Sequence, residues 1–201
     1  SSGVTLTIEA GVTVKFDADK SIQINGELIA QGTSSNMITF TSNESSPAAG
    51  DWGQIFFTDS SIDAIYDEYD NYLSGSIMEY CIVQYGGGLS DTGFGKNGVI
   101  RLDKGHPLIN NCTILNNSAS GIVADLLTSN IKIINNTIKY NSTTDGGGIF
   151  LRVSDENGST IYITSNTISN NSAGRGGGIH YHYGPSTANV IISDNTVSDN
   201  T

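Results

Sequence analysis

The sequence predicts an all-β solenoid, a parallel β-helix with three short strands in each coil of about 20–30 residues. Three observations predict it. One motif returns at a near-constant interval. Each return carries three short bursts rich in Ile, Val and Thr. Gly- and Asn-rich turns separate the bursts.

The returns are "NNCTILNNS" from Asn110, "NNTIKYNS" from Asn135, "SNTISNNS" from Ser165 and "DNTVSDNT" from Asp194. Their threonines, Thr113, Thr137, Thr167 and Thr196, are 24, 30 and 29 residues apart. "YCIVQYG" from Tyr80 fits one coil earlier. Between the returns stand "NGVIRL", "SGIVAD", "GGGIFLRV" and "GGGIHYHY". Just before them stand "LIN", "NIKIIN", "TIYITS" and "NVIISD". The bursts are too short for helices, and no Asn-Gly or Asp-Gly hairpin turn recurs at a fixed place. Each burst therefore pairs in parallel with its counterpart one coil away, about 4.8 Å along the axis.

In chain order, residues 1–57 read as narrower starting coils, with clean alternation in "LTIEAGVTVKF", "SIQINGELIAQGT", "MITFTSN" and "DWGQIFF". Residues 58–97 read as a coil with two long loops, one acidic and Tyr-rich from Thr58, one Gly-rich from Gly86. Residues 98–201 are the regular repeats. The whole is one domain, and its end in mid-motif at Asp199-Asn200-Thr201 reads as a piece of a longer protein. In each repeat an inward turn places Asn136, Asn166 and Asn195 in one column, where stacked amides can hydrogen-bond along the axis. Cys81 and Cys112 take the same place in earlier coils. Adjacent coils bring the two thiols together, as a disulfide or as two buried reduced side chains. The triplets Gly86–Gly88, Gly146–Gly148 and Gly176–Gly178 precede strands where positive φ is expected.

"GVTVKFDADKSIQINGELIAQGTSSNMITFTS" with "GDWGQIFF" resembles the opening coils of right-handed parallel β-helix repeat proteins of secreted bacterial and archaeal type. "NNTIKYNS" with "GGGI" resembles repeats shared with pectate lyases and related surface proteins. Right-handed winding is what the resemblance implies, and the handedness of parallel crossovers agrees with it. The fold carries lyases, hydrolases, epimerases, adhesins and inert spacers, so activity does not follow from it. The polygalacturonase-like and pectate-lyase-like catalytic signatures are missing. "Gly-His-Pro" at Gly105–Pro107 lacks its context.

Two surfaces are candidates for chemistry. Alternation points Ile149, Leu151, Val153, Ile179, Tyr181 and Tyr183 inward. Phe150, Arg152, His180 and His182 then point outward, with the histidines stacked over Phe150 and Arg152, and Tyr162 near the same edge. These five outward residues read as a glycan-contact patch, by ring stacking and guanidinium hydrogen bonds. A metal pair of histidines, a lyase base, or plain solvated decoration are the competing readings. Arg152 and the want of a fixed carboxylate count against the metal. The acidic loop offers Asp63, Asp67, Glu68 and Asp70 as oxygen ligands for Ca²⁺, although no known calcium-loop spacing is met. No other cofactor is expected.

A net charge of −11 argues against nucleic acid as a partner. No apolar run is long enough to insert in a membrane. The expectation is a secreted or cell-surface scaffold or adhesion module that contacts polysaccharide. A polysaccharide lyase or hydrolase is the first alternative, and homo-assembly through the coil ends the second. Ice binding wants a flat ladder of one small residue, whereas one outward column reads Leu108, Lys132, Tyr162, Ile191.

Overall fold

The computed structural model describes residues 3–88, 97–153, 158–182 and 187–201. Tyr183 and most of the Gly-rich bulge before Asn97 lie outside the described residues. The chain winds as a three-walled parallel β-helix. The first wall stacks Thr5–Ile8, Glu27–Gln31, Ile77–Glu79, Leu108–Asn110, Ile131–Ile134, Thr160–Thr164 and Asn189–Ser193. The second stacks Thr13–Phe16, Ile38–Ser42, Cys81–Gln84, Thr113–Leu115, Thr137–Lys139, Thr167–Ser169 and Thr196–Ser198. The third stacks Ile22–Ile24, Ile55–Phe57, Gly98–Asp103, Ser120–Leu127, Ile149–Val153 and Ile179–His182. The repeat threonines pair in register, Thr113 to Thr137 to Thr167 to Thr196.

Alternation fills the interior. On the second wall Phe40, Val83, Ile114, Ile138 and Ile168 are buried in one column. Their neighbours Thr39, Ile82, Thr113, Thr137, Thr167 and Thr196 face outward in another. Threonine suits a pleated, half-exposed face. The ladder of one small residue that the first wall lacks thus stands on the second, interrupted by Ile82. In the starting coils the Trp52 indole fills the bore. It stacks on Phe16 at 4.3 Å and donates to the Gln84 carbonyl at 2.8 Å.

Asparagines close the turns on both sides of the second wall. On the entering side, the Asn166 Oδ1 accepts from the Asn136 backbone N–H at 2.9 Å and from its side-chain amide at 3.0 Å. Asn195 does the same for Asn166. Each amide also donates to a carbonyl of the coil before, Asn136 to Ile109 and Asn166 to Ile133. Asn136 serves the Cys112 N–H in turn, at 2.9 Å. On the leaving side a second ladder runs through Asn117, Asn141, Asn171 and Asn200 with the same geometry. The residue just before each ladder position is left-handed, at Asn135, Ser165 and Asp194 for the first ladder and at Asn116, Tyr140, Asn170 and Asp199 for the second. Asn and Asp tolerate that conformation better than most residues, which accounts for the doubled Asn of the motif.

Cys81 and Cys112 are free and buried. The Cys112 thiol and burial push the Cys81 thiol well above its ordinary titration range. Each glycine triplet has one residue of positive φ, at Gly87, Gly146 and Gly176. Gly147 and Gly148 are needed for another reason. A Cβ on either would stand 2.5 Å from the carbonyl of Gly177 or Gly178 in the next coil.

Candidate functional site

The acidic loop is not a solvated flap. Ile65–Tyr66 and Tyr72–Ser74 pair as an antiparallel hairpin. Its turn is built on Asp67. That carboxylate accepts from the Tyr69 N–H at 2.9 Å, the Asn71 N–H at 2.8 Å and the Asn71 side-chain amide at 3.0 Å. These bonds, the Asn71 side chain first, hold the Asp67 carboxyl below its ordinary value. The hairpin lies on the outer face of the first wall, where Tyr66, Tyr72 and Ala64 cover Ile29, Ile77 and Leu108. Burying that apolar column drives the docking. Gly75 permits it, since a Cβ there would meet the Asp63 carbonyl at 1.9 Å.

His106 pins the base of the hairpin. It is 1% exposed. Its Nδ1 stands 3.1 Å from Asp63 Oδ2, and its Nε2 accepts from the Thr128 and Ser129 N–H groups at 3.0 and 3.1 Å. Two amide donors at Nε2 leave the ring proton on Nδ1, facing the carboxylate. "Gly-His-Pro" is therefore a structural clamp, with both ring nitrogens occupied.

Between hairpin and wall lies a cleft of about 350 Å³, lined among others by Tyr66, Asp70, Asn130, Lys132, Thr160 and Tyr162. Lys132 is 8% exposed at its floor. Its ammonium donates to the Asp70 carbonyl at 2.7 Å and faces the Asp70 carboxylate at 3.0 Å. It stands 4.2 Å from the Tyr66 ring centre and 5.5 Å from that of Tyr162. The Tyr66 hydroxyl is buried and finds no hydrogen-bond partner in the protein. Burial first, then Tyr72, Asp70 and Asp63, push this phenol far above its ordinary range, so it stays protonated.

The outer face of the third wall corrects the predicted glycan patch. The register is as read: Phe150 lies beside His180 and Arg152 beside His182. Phe150, however, is only 1% exposed. His180 meets its ring edge-on at 5.3 Å, and His182 lies over it at 6.3 Å. No face of the Phe150 ring is left for a sugar. Arg152 is likewise engaged, forked onto Asp125 with Nη2 at 2.8 Å from Oδ2. A register shift between Ala124 and Leu127, with Leu126 left-handed, gives Asp125 its place. Asp103 lies opposite Asp125 on the next strand. Asp145 stands 3.2 Å from the Arg175 Nε and 3.6 Å from the His180 Nδ1. Carboxylates are thus fixed beside the histidines, contrary to the sequence reading. Asp125 sits in the bulge and Asp145 ends the short strand Ser142–Asp145, where alternation along the third wall gives no guide.

Tyr162 stands apart from these residues, on the first wall beside Lys132. The four calcium candidates also separate. Asp63 serves His106, Asp67 builds the turn and Asp70 holds Lys132, while Glu68 is exposed at the hairpin tip. Among the described residues no three His, Cys, Asp or Glu side chains gather as a metal site. Tyr181 shares its inward register with Leu151 yet is 41% exposed, because its strand is the edge of the third wall.

The family of the right-handed β-helix region matches residues 3–201. The chain belongs to the right-handed β-helix family. No curated protein and no solved structure matches it. Membership fixes the winding and the stacked walls. The chemistry of this right-handed β-helix rests on its own side chains.

Proposed function

We propose that this right-handed β-helix is a non-catalytic scaffold of a secreted or surface protein, holding out a wall surface that contacts glycans. The observation that supports it is the mutual pairing of charges on the third wall. A general base must be free to take up a proton at a substrate. Asp125 is held by Arg152, and Asp145 lies between Arg175 and His180. Two asparagine ladders, each closing the coils along the axis, fit a stiff spacer.

The test is incubation of the intact protein with a panel of neutral and acidic polysaccharides. Retention on at least one, with no unsaturated or reducing-end product, is the expected result. Product that disappears in Arg152→Ala or His182→Ala would instead make the third wall an active site.

A further inference from the structure

We propose that the cleft between the hairpin and the first wall is a binding site for a neutral pyranose, the exposed end or branch of a glycan. The inference rests on the glycan-binding reading and places it at a different wall from the one the sequence favoured. Four features of the cleft carry it.

The first is shape. The cleft is a concave space of about 350 Å³, within the range of small-ligand pockets. The second is lining. Tyr66 and Tyr162 supply aromatic surface, while Ser129, Asn130 and Thr160 supply hydroxyl and amide groups. A pyranose offers the matching pair, an apolar C–H face and a rim of hydroxyls.

The third is charge. Lys132 is the cleft's one cation among the described lining residues, and it is already matched to Asp70. Asp67 lines the cleft without a cationic partner of its own. The balance is negative, so a uronate would be repelled. Lys132 also occupies the space over the tyrosine rings where a ligand ammonium would sit, which disfavours an amino sugar. A neutral sugar is not repelled, and it would pack on the tyrosine surface that the Lys132 ammonium leaves uncovered.

The fourth is the Tyr66 hydroxyl. Tyr66 lines the cleft, and its hydroxyl is buried without a protein partner, an arrangement that costs stability and is rare in folded proteins. A sugar hydroxyl in the cleft would satisfy it once a small shift of the ring exposes the phenol oxygen. The same pairing would explain why tyrosine stands here in place of phenylalanine.

The experiment uses the full chain and calorimetric titration. The probes are neutral tetrasaccharides of glucose, galactose, mannose or xylose, with tetragalacturonate and deacetylated chitotetraose as anionic and cationic arms. At least one neutral probe is expected to bind, and Tyr162→Ala to weaken it tenfold or more. Tyr66→Phe is expected to weaken it several-fold while the melting temperature stays level or rises, because only the unpaired hydroxyl is lost. A merely structural Tyr66 would show no loss of binding. Neutral binding that survives both substitutions would overturn the cleft and leave the glycan-binding reading standing. Binding of the charged probes alone would overturn the assignment of ligand class. No binding by the unaltered chain to any probe, and no retention on polysaccharide, would overturn both.

Discussion

At the scale of single residues, the asparagines do the most. Each ladder Asn satisfies a backbone N–H in its neighbour and a carbonyl beyond it, in a turn shielded from water. Asn166→Leu would leave the Asn136 N–H, the Asn136 amide and the Ile133 carbonyl short of partners. Buried polar groups without partners cost about 1–3 kcal/mol each. Partial relaxation leaves an expected loss on the order of 3 kcal/mol, read by urea unfolding. An unchanged midpoint would mean that water replaces the ladder. The first column was legible in the sequence because Asn136, Asn166 and Asn195 recur beside the repeat threonines. Asn117, Asn141, Asn171 and Asn200 recur at the same intervals of 24, 30 and 29 residues, and the same signal reveals them once both turns are treated alike. The cover over Phe150 was not legible. Alternation tells which way a side chain leaves the sheet, and it is silent on what then lies across it.

The hairpin is the element where sequence pattern and structure part. Its acidic tip suggested a calcium loop, yet its carboxylates are divided among a clamp, a turn and an ion pair. What joins it to the wall is contact between residues far apart in sequence, Tyr66 with Lys132 and Asp63 with His106, and no repeat encodes that. Its turn has a readable pH dependence. The Asp67 carboxyl titrates below its ordinary value of 3.8 because Asn71 and Tyr69 donate to its charged form. A lowered value means that the stabilisation is fully present above pH 3.8 and is lost as the pH falls through the lowered titration point. The amide resonances of Tyr69 and Asn71 should therefore move together below pH 3.8, with no change between neutrality and that point. Asp67→Asn should remove the transition. Movement that persists in this variant would assign it to another carboxyl.

Across the whole molecule, the strands and ladders of each coil touch only the coils beside it, while the hairpin reaches across several. The walls pair neighbour to neighbour, and each ladder amide reaches one coil on either side. Stability in such a stack is close to a sum of coil terms and interface terms, so damage should stay near its origin. The two ends also differ in kind. The starting coils are held by large side chains, with Trp52 against Phe16, whereas the later coils are repeats of Ile held by asparagine. Asn141→Leu tests this. It removes a partner from Asn117, from the Ile114 carbonyl and from Asn171. Hydrogen exchange should then quicken in Thr113–Leu115, Thr137–Lys139 and Thr167–Ser169. The strands Thr13–Phe16 and Ile55–Phe57 should keep their protection. Equal loss of protection along the chain would show that the coils unfold as one unit, and that the stack is cooperative beyond the reach of its nearest contacts.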